Sequence, residues 1–105
     1  SKNLNLNTCV GCYCWTLGPS YETPAEIQDM ARLGGSAVGM STVPEIISAA
    51  KSGIKSLTIS CLTNYAAGIS ATPLTHEEVV SNANRFDSQF SALLEQVILK
   101  ISELS

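Results

Sequence analysis

The stretch AVGMSTVPEIISAAKSG, at residues 37–53, passes from a short apolar run into a helical pattern. Residues 37–40 have the composition of a short strand, and Pro44 follows the polar pair Ser41-Thr42, as in the first turn of a helix. Beyond this pair the apolar residues recur at positions i, i+3, i+4 and i+7, which are Val43, Ile46, Ile47 and Ala50. The stretch therefore predicts a strand that leads directly into a helix, the repeating unit of α/β folds.

The residues before this stretch follow the same order. Residues 10–17 are rich in β-branched and aromatic side chains until a glycine and a proline end the run, which predicts a strand. Thr23 and Glu26 then have the spacing of a capping box, with Pro24 at the first helical position. A helix is therefore expected to run from this point to the glycine pair at 34–35.

The residues after this stretch predict a third strand and a long helix. Residues 55–62 alternate polar and apolar side chains, a loop follows over 63–73, and Thr75 with Glu78 forms a second capping box. Apolar residues then recur at spacings of three and four, at Val79, Ala83, Phe86, Phe90, Leu93, Val97 and Ile101. A core-facing terminal helix is favoured over a coiled coil, because the pattern covers only about three heptads.

Length and composition limit both the fold and the classes of partner. A chain of 105 residues is one small domain, and the order β-α-β-α-β-loop-α predicts an α/β fold with a helix-covered sheet. Only 14% of the residues are charged, so the chain buries surface against partners or is a piece of something larger. Six scattered basic residues and a net charge of -3 argue against nucleic acid as a partner. A membrane is also excluded, because no apolar run approaches the roughly 20 residues of a span.

Four cysteines, Cys9, Cys12, Cys14 and Cys61, allow three explanations. An even count suits a disulfide framework, and the Cys9-x-x-Cys12 spacing suits zinc or redox chemistry, with His76 as a further soft ligand. Free structural thiols are favoured, because three of the four lie within six residues and two alternate with aromatic residues, as in a buried strand. Free thiols predict a reducing, cytoplasmic location and no bound metal.

Polar residues follow each of the three predicted strands, in segments 18–22, 39–42 and 63–64. Ligands of open α/β sheets gather at the carboxyl ends of strands, so these segments are the candidate functional ones. Ser41 lies at a helix start, where free N–H groups attract an anion, although an ordinary N-cap is the simpler explanation. Simpler explanations also exist for Glu22 beside a helix N-terminus, Asn64 in a turn, His76 on the surface and Tyr13 in the sheet.

Taken together, four segments resemble the purine nucleoside phosphorylases, and more narrowly the trimeric, low-molecular-mass branch of that family. They are GPSYETPAE at 18–26, VGMSTVPE at 38–45, LTN at 62–64 and HEEV at 76–79. The resemblance spans the whole chain and implies a mixed central sheet flanked by helices, ending in a long C-terminal helix. It also implies that residues 1–105 are the C-terminal part of one such domain, whose N-terminal part is absent.

The resemblance implies phosphorolysis of a purine nucleoside, with inorganic phosphate as co-substrate and no cofactor. The glycosidic bond would break through an oxocarbenium-like state, so negative charge on the leaving purine must be stabilised. By motif, Glu22 would bind the N1–H edge of the base and Asn64 would hydrogen-bond N7 and O6, as the catalytic pair. The remaining contacts implied are Thr63 and Tyr21 to the base, Ser41 to phosphate, Met40 to ribose, His76 to the 5′-hydroxyl, and Val79 and Tyr13 in the pocket wall.

The same resemblance implies a cytoplasmic homotrimer and leaves two alternatives open. One is a catalytically incomplete fragment of such an enzyme. The other is a methylthioadenosine phosphorylase, a related enzyme that carries other residues at the Glu22 and Asn64 positions, with an aspartate in place of the asparagine. Since an asparagine amide can donate to O6, the residue present favours inosine and guanosine over adenosine.

Overall fold

The computed structural model describes residues 6–70 and 75–104 and contains, within them, two strands and four helices. In chain order these are β1 (Tyr13–Trp15), α1 (Pro24–Arg32), β2 (Ala37–Gly39), α2 (Val43–Lys51), α3 (His76–Arg85) and α4 (Asp87–Leu104). They form two compact units, which we call the sheet unit, within residues 11–70, and the helical unit, within residues 6–10 and 75–104. The α/β class predicted from the sequence is confirmed, and the end of the predicted loop over 63–73 lies outside the described residues.

Strands β1 and β2 pair in parallel, with Tyr13 opposite Ala37 and Trp15 opposite Gly39. The Thr16 N–H donates to the Gly39 carbonyl at 2.9 Å, which continues the ladder one residue beyond β1. The strand predicted over 10–17 is therefore correctly placed but too long. Its regular part is limited by the three residues of β2, because only residues that face a partner strand can join the ladder.

Helix α1 begins at the capping box predicted from the sequence. Thr23 Oγ1 accepts the Glu26 N–H at 3.3 Å, and Glu26 Oε1 accepts the Thr23 N–H at 3.1 Å. The Thr23 N–H and, at 2.9 Å, the Thr23 hydroxyl both donate to Glu26 Oε1, and these two bonds lower the pKa of Glu26 because they favour the ionised carboxylate. The helix buries Ile27 and ends just before the glycine pair, where a Cβ on Gly35 would lie 2.5 Å from Cys14 Sγ. Glycine at this turn therefore allows it to lie close to β1.

The third strand predicted over 55–62 is wrong. Residues 54–62 follow α2 without joining a ladder, and the sheet within the described residues consists of β1 and β2. Alternating polar and apolar side chains indicate which residues would share a face of a sheet. An extended segment becomes a strand only beside another strand that satisfies its backbone groups, and this requirement is not visible in the alternation.

The long helix predicted from residue 75 is interrupted at Phe86. Thr75 Oγ1 accepts the Glu78 N–H at 3.2 Å and starts α3, which is one of the two bonds of the predicted capping box. Helix α3 ends at Arg85 and α4 begins at Asp87. The Phe86 N–H bonds the Ala83 carbonyl, three residues back, which tightens the last turn of α3. The apolar spacing continues across the break, whereas two asparagines in the last turns of α3 favour ending a helix. The expected long C-terminal helix is α4, with 18 residues.

The core within the described residues is small. Ile27 and Leu93 are the buried apolar side chains, one in each unit. Large apolar side chains are exposed in both units, among them Leu17, Leu33, Ile54, Leu57, Ile98 and Leu104. None of the helices within residues 6–70 and 75–104 combines the length and apolarity needed to cross a membrane.

Candidate functional site

The candidate site lies at the carboxyl ends of β1 and β2, and two glycines position the side chains around it. A Cβ on Gly39 would collide with the Tyr13 hydroxyl, so glycine at the end of β2 makes room for the Tyr13 ring. Gly18 has φ +68°, and a Cβ there would lie 2.5 Å from Met40 Sδ. The loop after β1 therefore packs against the Met40 side chain, which follows β2.

Glu22 is held by a hydrogen bond from the end of β1. Its Oε1 accepts the Thr16 hydroxyl at 2.7 Å, and both residues are partly buried. The simpler explanation, that Glu22 only favours the N-terminus of α1, leaves this bond unaccounted for. Thr16 was missed from the sequence, where it reads as one more strand residue. The sequence feature that could have identified Thr16 is a hydroxyl at the end of a strand, six residues before a carboxylate in the following loop.

The turn between β2 and α2 is strained at Thr42. This residue has φ 82° and ψ -48°, and the Val43 N–H donates to the Ser41 carbonyl at 2.9 Å, which closes a γ-turn of the uncommon positive-φ kind. A β-branched residue rarely adopts this conformation, and such strain persists mainly at functional sites. Thr42 is the N-cap residue of α2, but its side chain makes no capping bond to the helix.

The hydroxyls of Ser41 and Thr42 lie 3.1 Å from each other, and Ser41 is exposed. The expectation of an ordinary side-chain N-cap at α2 is therefore wrong. The Val43 N–H donates to the Ser41 carbonyl, and Pro44 has no N–H. The Glu45 N–H is therefore the one available in the first turn of this helix. Its dipole favours an anion at the same place, next to the two hydroxyls.

Asn64 lies in the loop after residue 62, and its amide group is oriented by its neighbours. Asn64 Oδ1 accepts the Thr63 hydroxyl at 2.6 Å, and Asn64 Nδ2 donates to the Tyr65 carbonyl at 2.9 Å. One Nδ2 hydrogen and one Oδ1 lone pair remain for a ligand, because a primary amide can make four hydrogen bonds. The next turn packs on the start of α1, where a Cβ on Gly68 would lie 2.8 Å from Pro24 Cβ.

That packing brings the Asn64 loop to the part of α1 that follows Glu22. Tyr21 precedes Glu22 in the same loop and is 43% exposed. Next to these loops, a cavity of about 320 Å³ is lined by Tyr13 and residues 37–42 and 59–62. This cavity contains three of the predicted contacts, Tyr13, Met40 and Ser41, whereas Tyr21, Glu22, Thr63 and Asn64 lie outside its lining.

His76 and Val79 lie on the first turn of α3, in the helical unit. They are three residues apart and so are neighbours on the helix surface, with His76 exposed and Val79 half-buried. The four cysteines are free thiols. Among residues 6–70 and 75–104, no group of three His, Cys, Asp or Glu side chains is placed to hold a metal ion.

Residues 1–99 of the chain match the model of the phosphorylase superfamily. Purine nucleoside phosphorylase 1 of Geobacillus stearothermophilus is 41% identical over 103 residues, which cover 98% of this chain and 38% of that protein. A probable 6-oxopurine nucleoside phosphorylase of Moorella thermoacetica is 46% identical over 88 residues, which cover 84% of this chain and 34% of that protein.

The solved structure of a Schistosoma purine nucleoside phosphorylase in complex with hypoxanthine matches with a TM-score of 0.79 and 34% identity. The match covers 84% of this chain and 32% of the Schistosoma chain. The chain thus spans about a third of the length of the relatives it matches. These similarities confirm the resemblance found in its motifs, and the chain belongs to the phosphorylase superfamily.

Proposed function

We propose that this chain is part of a purine nucleoside phosphorylase that cleaves 6-oxopurine nucleosides with inorganic phosphate. The products would be a free purine and ribose 1-phosphate, or the deoxyribose equivalent. The observation that carries the proposal is the held carboxylate of Glu22, with its 2.7 Å bond from Thr16, in a loop adjoining the loop of the oriented Asn64 amide. A carboxylate and an amide N–H are complementary to the N1–H and O6 of hypoxanthine or guanine.

These groups would act on the leaving base. As the glycosidic bond breaks, electrons move onto the purine while the ribose becomes oxocarbenium-like. The remaining Nδ2 hydrogen of Asn64 would be shared between O6 and N7, and this interaction would strengthen as the charge grows, which is the kind of interaction that lowers a barrier. Glu22 would fix the opposite edge of the base by accepting from N1–H. Tyr21 and Thr63 would complete the base pocket.

The strained turn before α2 would hold the phosphate. Ser41 would donate its hydroxyl, together with the Glu45 N–H of the first helical turn, to the anion that attacks the anomeric carbon. Met40 would contact the ribose, with Tyr13 beside it in the wall of the same cavity. His76 would reach the 5′-hydroxyl, with Val79 beside it. Phosphate is a co-substrate in this scheme, and no cofactor is required.

The proposal places this chain as the C-terminal part of a longer domain. Its support is the span of about a third of each relative, together with the exposed apolar side chains of both units. We also propose a homotrimer, which the resemblance to the trimeric branch implies, and a cytoplasmic location, since four free thiols suit a reducing compartment. The second candidate, a catalytically incomplete fragment, is favoured by the small core of the described residues. A methylthioadenosine phosphorylase is disfavoured by the amide of Asn64.

A chimera tests the proposal directly. Residues 1–105 replace the region that they match in the Geobacillus stearothermophilus enzyme, so that the upstream segment comes from the relative; we refer to this protein as the chimera. We expect it to release hypoxanthine from inosine only when phosphate is present. The matched control is the chimera with Glu22→Ala, which should lose most of this turnover. A folded chimera that assembles like the Geobacillus parent but leaves inosine intact would overturn the proposed function.

The same assay on the isolated 105-residue chain tests whether this chain is active without the upstream segment. We expect it to be inactive, because further phosphate ligands and most of the sheet would be supplied upstream. Phosphate-dependent release of hypoxanthine by the chain alone would contradict its placement as an incomplete part.

A further inference from the structure

Thr16 occupies a position from which it fixes two groups at once. Its backbone N–H donates to the Gly39 carbonyl at 2.9 Å, which anchors Thr16 to the end of β2. Its side-chain hydroxyl donates to Glu22 Oε1 at 2.7 Å. The hydroxyl also lies 3.5 Å from the Gly39 carbonyl, at the long limit for a hydrogen bond. Because a hydroxyl has one proton, and the shorter contact is to a charged acceptor, the bond to Glu22 is the dominant one.

The anchor matters because Glu22 lies in a loop. A glutamate side chain has three rotatable bonds, and loops are the more mobile parts of a fold. Thr16 is stiffer, since its β-branched side chain has restricted rotamers and its backbone is held by the ladder. On the other side of Glu22, the capping box of Thr23 fixes the backbone at the start of α1. The backbone of Glu22 is thus held by the neighbouring capping box, and its carboxylate is held by Thr16.

We propose that Thr16 is a positioning residue for base recognition, which acts by holding Oε1 of Glu22. This inference rests on the proposed function. The bond to Thr16 uses one acceptor position of the carboxylate and leaves Oε2 and a further lone pair for N–H donors of the base. The 6-oxopurine edge supplies such donors, at N1–H and, in guanine, at the 2-amino group. Thr16 therefore orders the carboxylate before the base arrives, so that less conformational entropy is lost on binding.

The test uses the chimera with Thr16→Val, which keeps the β-branched shape and removes the donor. We expect kcat/KM for inosine to fall about tenfold or more, as a lost hydrogen bond to a charged group would produce. The KM for phosphate should change less than about twofold, because Ser41 and its turn are not part of this contact. Thr16→Ser keeps a hydroxyl at this position, and its kcat/KM should lie within about threefold of that of the unsubstituted chimera. Thr58→Val is the matched control for the same change at an exposed threonine and should have no effect.

A double substitution separates positioning from a purely structural role. If Thr16 acts through Glu22, then Thr16→Val should change kcat/KM less than about twofold in a chimera that already carries Glu22→Ala. Equal losses in both backgrounds, or no rescue by serine, would overturn the inference, as would parental kinetics for Thr16→Val. Melting temperatures of Thr16→Val and Thr16→Ser identify any loss that comes from unfolding. An inactive parent chimera would instead overturn the proposed function, and the inference with it.

Discussion

Replacing Asn64 by aspartate changes both the local hydrogen bonds and the proposed choice of base. In the structure Asn64 Oδ1 accepts from Thr63 at 2.6 Å, and Asn64 Nδ2 donates to the Tyr65 carbonyl at 2.9 Å. Asn64→Asp keeps the first bond, since a carboxylate also accepts from a hydroxyl. The second bond becomes a close approach of two acceptor oxygens. One net hydrogen bond is lost at an exposed position, so we expect a stability loss of about 1 kcal/mol.

The effect on selectivity should be larger than the effect on stability. With Asn64 and Glu22 both present, adenosine offers an amino group and an unprotonated N1 where the site requires an acceptor and a donor. A site built to pair polar groups rejects such an analogue, so we expect the parent chimera to prefer inosine by at least roughly two orders of magnitude in kcat/KM. In Asn64→Asp the carboxylate repels O6 and accepts from a 6-amino group, so the preference should relax or reverse.

The assay is phosphorolysis of inosine and adenosine by the parent chimera, Asn64→Asp and Asn64→Ala under identical conditions. Alanine is the matched control, because it removes the contact to O6 without providing an acceptor for a 6-amino group. It should lower inosine turnover without raising adenosine turnover. Equal turnover of both nucleosides by the parent, or an unchanged ratio in Asn64→Asp, would refute the role given to Asn64. Thermal melting in parallel checks the expected small loss of stability.

Two further predictions concern the anion site and the first helix. Ser41→Ala in the chimera should weaken phosphate binding by about 1–2 kcal/mol with little change in the KM for nucleoside, because one charge-assisted bond is lost. Steady-state kinetics with each substrate varied in turn measure both constants. A raised KM for nucleoside with an unchanged KM for phosphate would show that Ser41 contacts the nucleoside instead. The capping box at α1 should weaken in acid, because the bonds from Thr23 lower the pKa of Glu26. The stabilisation by the ionised Glu26 carboxylate is fully present above the ordinary glutamate pKa of about 4.3. It is lost as the pH falls through the lowered pKa. Amide hydrogen exchange in α1, compared between wild type and Glu26→Gln as the pH falls, checks this; a loss of protection in acid that is the same in both would contradict it.

Local signals in the sequence predicted most of the sheet unit. The capping box at Thr23 specified the start of α1, and the passage from an apolar run into Ser41, Thr42 and Pro44 specified β2 and α2. These signals succeed because the hydrogen bonds that create them lie within a few residues of chain. Residues 55–62 lacked such a determinant, since their conformation depends on whether another strand lies beside them. The break between α3 and α4 at Phe86 was also not predicted, because the spacing of apolar residues hardly changes when one helical turn is tightened.

In the candidate site, too, residues in local motifs were predicted, whereas features that depend on the folded chain were not. Glu22, Ser41 and Asn64 were predicted as site residues because they stand in recognisable motifs, whereas Thr16 and the turn at Thr42 were not predicted. The role of Thr16 arises only when the loop after β1 folds back and brings Glu22 to within 2.7 Å of the strand end. The positive φ of Thr42 is the reverse of what a β-branched residue suggests, since glycine is the usual residue there.

One backbone group connects the two halves of the proposed chemistry. The Gly39 carbonyl accepts the Thr16 N–H, so the residue that holds the Glu22 carboxylate is paired with the residue that leads into Met40 and Ser41. This pairing sets the relative position of the strand ends from which the Glu22 loop and the Ser41 turn start, since adjacent strands lie about 4.8 Å apart. A nucleoside has a fixed separation between its base edge and its anomeric carbon. The short parallel pair of strands therefore relates the starting points of the two loops, and the loops together with the upstream part proposed above would complete the spacing that such a substrate requires.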